Sequence, residues 1–347
     1  MKISSLVLTA LLGACVVTAQ AQSNVAIYGT VDSGLNKTTG STLAIGKRDN
    51  NKLGFKGVED LGDGLSALFQ LEIRFEPDTG AVENTTTTTY RPLFQGQSRV
   101  GLQGAFGTLR FGRGLSAYQE TSIAFEPWSG MPTPAGFMTD IQVAGYTSDP
   151  LSAAGNSRNR FSNAAFYNSP LYAGMFQVNV TYGTKEANGN PVIIGRGTAL
   201  APQFPANSPA AEAPYSVSAT FYNGPVGLMA AYEKNGVETD IWSVGAMYKP
   251  IDGLKLMTTY QRQNQDYSVP FNPITRAWMI GANYNVGVGK WLAGIGHKSP
   301  DGLTMTRQYS IGYEYNLSVR TYLYSDASTR HADTHVNYYS LGIHHNF

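Results

Sequence analysis

The chain has 347 residues, 42% of them apolar but only 14% charged, against roughly 25% charged in an ordinary soluble domain. Its 25 basic and 24 acidic residues nearly cancel, which argues against a nucleic-acid partner announced by bulk charge and against a charged disordered tail. No internal apolar run approaches the ~20 residues that a spanning helix needs, so the composition excludes a helical membrane protein.

The first residues read as a targeting segment. Lys2 precedes an apolar stretch, residues 3–17, and Ala19-Gln20-Ala21 supplies the small-x-small site of a secretory signal peptide. Cleavage there starts the mature chain at Gln22 and leaves residues 22–347 as one domain. Residues 12–15 (LGAC) loosely resemble a lipoprotein box, a second and less clean cleavage site. Cys15, the one cysteine, lies inside this segment, so the mature chain has no thiol for a disulfide, a nucleophile or a thiolate metal site.

From there the hydrophobic period is two. Residues 25, 27, 29, 31 and 33 share one face of the first segment; Ala26, Tyr28, Thr30 and Asp32 share the other. Residues 64–76 (GLSALFQLEIRFE) set Leu65, Ala67, Phe69, Leu71, Ile73 and Phe75 against Ser66, Gln70, Glu72, Arg74 and Glu76. Alternation of this kind is the mark of a strand. It recurs at 51–59, 98–104, 108–113, 160–168, 175–183, 215–222, 226–233, 239–248, 254–262, 275–285, 290–297, 306–315, 317–325 and 335–347, about sixteen strands with the first two. No 3.6-residue stripe of helical length appears. Short connections such as 223–225 and 286–289 alternate with long ones, 113–159 and 185–214.

Hairpins with turns on one side and long loops on the other outline a transmembrane antiparallel β-barrel. Closure is forced, because an unpaired strand edge in hydrocarbon costs several kcal/mol per polar group. About sixteen strands enclose an aqueous lumen rather than a packed interior, and the 21 Tyr and 15 Phe suit aromatic girdles at the two interfaces.

Particular segments carry a resemblance. Residues 25–35 (VAIYGTVDSGL), 52–72 (KLGFKGVEDLGDGLSALFQLE), 99–114 (RVGLQGAFGTLRFGRG), 160–170 (RFSNAAFYNSP) and 341–347 (LGIHHNF) resemble the Gram-negative general porins of the neisserial and burkholderial type. The resemblance runs from end to end of the mature chain. It implies an outer-membrane homotrimer of sixteen-stranded barrels, each a water-filled channel for ions and small hydrophilic solutes. It also implies a third loop folded into each pore, here residues 114–159, and a last strand ending in Phe347 that the outer-membrane assembly machinery reads. The loop's core, residues 125–137 (FEPWSGMPTPAGF), departs from the commoner Pro-Glu-Phe-Gly form.

In this family a ladder of basic wall residues faces acids on the inward loop. Carried over, Lys52, Arg99 and Arg160 open strands at the wall. Alternation points Lys52, Lys56, Arg74, Arg99 and Arg110 inward, because Leu53, Phe55, Ile73, Val100, Leu109 and Phe111 point to lipid. Glu126, then Glu120 and Asp140, stand opposite on the loop. Arg113 and Arg158 lie at strand–loop junctions where alternation does not decide; Phe166 occupies a position where relatives often carry an inward base. The expected constriction is Lys52, Arg74, Arg99, Arg110 and Arg160 against Glu120 and Glu126, giving modest anion preference.

The remaining features carry no chemistry of their own. His331 and His335 are four apart, but on a loop and a strand rather than a helix, so no metal is expected. His344 and His345 face opposite sides of the last strand, and residues 85–89 form a polar loop tip. No cofactor is implied. An outer-membrane barrel enzyme would need a nucleophile with a base; the few histidines cluster near the C-terminus and no Gly-x-Ser-x-Gly elbow occurs. A channel with a binding site for a particular solute is the nearer alternative.

Overall fold

A computed structural model describes residues 24–83, 91–152, 159–187, 189, 193–194, 203–265 and 274–347. The signal segment, residues 85–89 and Arg158 lie outside the described residues. Sixteen antiparallel strands close into a barrel. They are β1 (Asn24–Thr38), β2 (Lys52–Gly62), β3 (Leu65–Arg74), β4 (Gln97–Gly104), β5 (Gly107–Leu115), β6 (Arg160–Asn168), β7 (Phe176–Gly183) and β8 (Tyr215–Asn223). The second half comprises β9 (Val226–Lys234), β10 (Thr239–Tyr248), β11 (Leu254–Gln265), β12 (Ile274–Val286), β13 (Gly289–Pro300), β14 (Thr306–Asn316), β15 (Thr321–His331) and β16 (His335–Asn346). Each pairs with its chain neighbour, and β1 pairs with both β2 and β16. A short strand, Ala44–Gly46, lies on the loop end of β1.

β1 and β16 close the barrel from Thr30↔Asn346 to Thr38↔Tyr338, and the C-terminal residue extends the ladder by one more pair. Gly29 N donates to Phe347 O and Phe347 N to Gly29 O, both at 3.1 Å. A Cβ on Gly29 would stand 2.3 Å from the Phe347 ring, so the ring lies directly on this glycine.

Alternation sorts the strands as the period predicts. On β12, Trp278, Ile280 and Tyr284 face outward with exposures of 38%, 53% and 41%, while Ala277 and Met279, alternating with them, are buried. This outer face keeps its apolar surface for lipid, with aromatics nearer its two ends. Turns follow local chemistry. Asp63 and Gly64 join β2 to β3 with φ of 52° and 75°, the left-handed pair of a two-residue hairpin.

Two expectations change. The fifteenth strand starts at Thr321, not Leu317, because Ser318 Oγ accepts from Arg320 N at 3.2 Å and Thr321 N at 3.1 Å. A serine bonded to its own backbone in this way holds a turn and competes with the ladder. The loops also do not stay long: connections 235–238, 301–305 and 332–334 are as tight as turns. The long connections belong to the first half of the barrel.

Candidate functional site

The inner wall of β9–β13 is apolar where a water-filled lumen would call for polar residues. Met229, Met247, Met257, Ile241, Ala277, Met279 and Leu292 face inward and are buried. The reason is loop 3, whose described residues 116–152 pack on them. Phe125 sits among the three methionines, and Trp128, Phe137 and Ile141 join Met279 and Leu292 in one cluster. Glycines make the seats: a Cβ on Gly281 would meet Pro127 at 2.3 Å, and one on Gly294 would meet Phe137 at 2.6 Å. Burying each large apolar side chain contributes roughly 1.5–3 kcal/mol, enough in sum to hold the loop off the pore axis.

Polar wall residues complete the seat. Loop 3 enters through helix α1 (Ala117–Ser122), capped by Ser116, whose Oγ accepts from Gln119 N at 3.3 Å. The first helical N–H groups donate to wall hydroxyls, Ala117 N to Thr181 Oγ1 at 3.0 Å and Tyr118 N to Ser216 Oγ at 2.8 Å, satisfying groups a helix start leaves open. Further on, wall amides donate to loop carbonyls: Asn283 Nδ2 to Pro127 O at 3.1 Å and Gln261 Nε2 to Ile141 O at 2.6 Å.

The basic residues expected at the constriction lie on β2–β6, away from that seat. Lys52 and Arg74 are paired across β2 and β3, and Arg74 Nε approaches Glu72 Oε1 at 3.3 Å. Lys56 is exposed, with Nζ 5.3 Å from the centre of the Tyr28 ring. Arg99 donates from Nε and Nη2 to Gln70 Oε1 at 3.2 and 2.9 Å and lies 5.9 Å over the Phe166 ring. Arg110 donates to Asn168 and stands 3.8 Å from Glu120 Oε1, while Asn168 Nδ2 donates to Glu120 Oε2 at 3.1 Å. Arg110, Glu120, Gln103, Asn168, Gln177 and Thr220 share a polar cavity of about 410 Å³. Glu120 is therefore the loop acid brought against the basic wall.

Glu126 is not. It is fully buried and accepts from the loop's own backbone, Gly130 N at 3.0 Å and Phe137 N at 3.1 Å. Burial pushes its carboxyl above the usual range against the pull of those N–H groups. It ties the tip of loop 3 rather than lining water; an acid inside a Pro- and Gly-rich turn faces its own amides. Asp140 pairs with Lys298 and, at 3.7 Å, with Arg330.

Arg160 departs from expectation as well. It is 6% exposed, with Nε donating to Gly96 O and Nη1 to Asn159 Oδ1, each at 2.6 Å. The pairing of β5 with β6 slips at Gly112–Gly114, and Asn163 opposite has φ of 50°. That bulge breaks the alternation between Phe166 and Arg160, and Arg160 braces the loop after β3. Arg113 does the same through Gln95 O at 3.0 Å and Ser162 Oγ at 2.6 Å.

Beside Arg113, Asp149 accepts from Ser162 N at 3.3 Å. Burial outweighs the attraction of Arg113 and pushes the Asp149 carboxyl up from 3.8 to about 6. An acid raised in this way binds more protons folded than unfolded between about 4 and 6. The stability it contributes is present below that window and is lost as pH rises through it. The expected result is a thermal midpoint that falls less between pH 4 and pH 6 in Asp149→Asn than in the parent barrel. An unchanged difference would mean that Asp149 ionises normally.

The largest unforeseen feature is loop 1, residues 39–51 between β1 and β2, which also folds inward. Arg48 is fully buried, 2.8 Å from Glu314 and 2.9 Å from Asp326, and lies over the Tyr324 ring. Burial works against its charge, but Asp326 and Glu314 outweigh it and hold the guanidinium above its ordinary range. Asp32 takes His344 Nδ1 at 3.1 Å and Tyr324 Oη at 2.9 Å. The signal available in sequence was the inward acids Asp32 and Glu314, each needing a cation. His331 and His335 stack at 4.1 Å on the rim, and no group of metal-ligating residues occurs among the described residues.

Comparison with known proteins agrees with this architecture. Residues 7–335 match the family model of the Gram-negative porins. An outer membrane porin protein of Bordetella pertussis is 26% identical, over 93% of this chain and 93% of its own. Outer membrane porin protein 32 of Delftia acidovorans is 28% identical, over 89% and 84%. Among solved structures, an anion-selective porin from Comamonas acidovorans superposes with a TM-score of 0.76 at 22% identity, covering 94% of this chain and all of that one. The trimer form of a Vibrio cholerae outer membrane protein gives 0.67 at 14% identity, covering 94% and 99%. A closed sixteen-stranded barrel with its third loop folded inside, matched over nearly its whole length, places the chain in the Gram-negative porin family as an outer-membrane channel for passive diffusion.

Proposed function

We propose that this channel passes small hydrophilic solutes with a modest preference for anions. The observation that carries the reading is the asymmetry of the lumen. Lys52, Lys56, Arg74, Arg99 and Arg110 lie on adjoining strands β2–β5, and Glu120 reaches Arg110 from loop 3 while Glu126 is withdrawn into the loop. A narrow aqueous pore selects by size and by the local field of its lining. The relative solved from Comamonas is described as anion-selective. Planar-bilayer conductance with reversal potentials in a salt gradient tests the reading; a potential on the cation side overturns the preference.

The same reading makes the protein a homotrimer, as one similar structure is, with lipids around its outer face and Phe347 presented to the assembly machinery. We read it as a channel rather than an enzyme, as its relatives are described as porins; the buried His344 bonds Asp32 through one ring nitrogen and Asn346 through the other, at 3.1 and 3.2 Å. We also infer that residues 1–21 are removed on export. N-terminal sequencing of the membrane-inserted protein should begin at Gln22; a start at Cys15 would support the lipoprotein site instead.

A further inference from the structure

We propose that Arg48 of loop 1 is the positioning residue for the tip of loop 3, so that pore noise and selectivity depend on a side chain that does not line the pore. The proposal goes beyond the channel reading and rests on a chain of contacts.

Loop 1 is anchored at two points on one wall residue. Arg48 N donates to Asp32 Oδ1 at 2.6 Å, and Asn51 brackets the Asp32 backbone, accepting from Asp32 N at 2.5 Å and donating to Asp32 O at 3.0 Å. These bonds aim the Arg48 side chain across to β14 and β15. Its guanidinium forks, Nη1 to Glu314 at 2.8 Å, and Nε and Nη2 to the two oxygens of Asp326 at 2.9 and 3.3 Å.

Asp326 is the shared element. The oxygen that receives Arg48 Nη2 also accepts from Trp128 Nε1 at 3.0 Å. Trp128 is fully buried at the tip of loop 3 and packs on Phe137 at 5.9 Å between ring centres. The route is Arg48, Asp326, Trp128, tip. Glu314 has a second cation, Lys290 at 3.0 Å, whereas Asp326 takes Arg48 on both of its oxygens through the planar fork. Without the guanidinium, Asp326 is a buried carboxylate that must turn toward water, which breaks the bond to the indole, or take a proton, which removes the charge that strengthens it.

The charges make a second prediction separable from the first. Arg48 against Glu314 and Asp326 is one positive charge against two negative. Arg48→Met leaves both acids without that cation beside the lumen. Arg48→Lys keeps the charge but replaces the fork with a point donor that does not span both acids.

Single-channel recording of the full-length protein tests this. Arg48→Met should raise open-channel noise with brief closures and move the zero-current potential toward cations. Arg48→Lys should raise the noise and keep the parent potential. Trp128→Phe removes the indole donor while sparing the ion pairs and should raise the noise in the same way. The double change Arg48→Lys with Trp128→Phe should be no noisier than either single, because both cut one route. Quiet Arg48→Lys or Trp128→Phe channels, or fully additive noise, overturn the proposal. If Arg48→Met does not insert, the remaining three variants still decide it, and conductance of the parent protein tests the channel reading on its own.

Discussion

Arginine in place of Ile280 should cost ~2–4 kcal/mol of barrel stability, because it sets a cation against hydrocarbon near the bilayer midplane. Ile280 is the central residue of β12, 53% exposed on the outer face, among Leu256, Ala282, Ile295 and Ile311. Snorkelling offers little relief, since the strand runs on for several residues in both directions. Gln103→Arg is the matching control: Gln103 is exposed to the polar cavity beside Arg110 and Glu120. The readout is the fraction of heat-modifiable barrel after refolding into lipid, with unfolding midpoints for what folds. The Ile280 variant should lose most of its folded fraction and the Gln103 variant should keep it. Equal yields would mean that Ile280 does not face hydrocarbon, and reversed yields that the inner and outer faces have been exchanged.

Neutralising Arg99 and Arg110 together should move the zero-current potential toward cations. At roughly 7 Å in water a unit charge is worth about 0.6 kcal/mol to a passing ion, a little under threefold in relative permeability. Two such charges give a shift of roughly five- to tenfold at low salt. The shift should shrink as ionic strength rises and the Debye length falls toward 8 Å and below. Arg99→Gln with Arg110→Gln tests it, and Arg160→Gln supplies the contrast. Arg160 is sealed against Gly96 and Asn159, so its removal should leave selectivity unchanged. A double variant with the parent potential, or an Arg160 variant with a shifted one, would relocate the constriction.

The strands, their number and their inner and outer faces were legible in the sequence because a transmembrane strand answers to one rule repeated every second residue. Each outward position meets lipid and each inward one does not, whatever the rest of the chain does. The inward reading of Arg99 and Arg110 came from that rule, and the structure finds them bonded to Gln70 and Asn168 across the inner face. The rule fails where the chain leaves the ladder. A single bulge opposite Gly112–Gly114 reverses parity and carries Arg160 under a loop. Ser318 holds a turn where alternation alone continues a strand. Glu126 looked like a pore acid because a residue's type says that it carries charge, not which groups will solvate it.

The sequence alone determined the barrel and its inner and outer faces, since those follow from local periodicity and from the cost of an open edge in lipid. The tertiary structure alone decided where the loops lie. Loop 3 rests on methionines and glycines contributed by strands more than a hundred residues away, and Arg48 finds Asp326 across 278 residues of chain. Such contacts depend on shape and countercharge assembled only once the barrel has closed, and no local pattern encodes them.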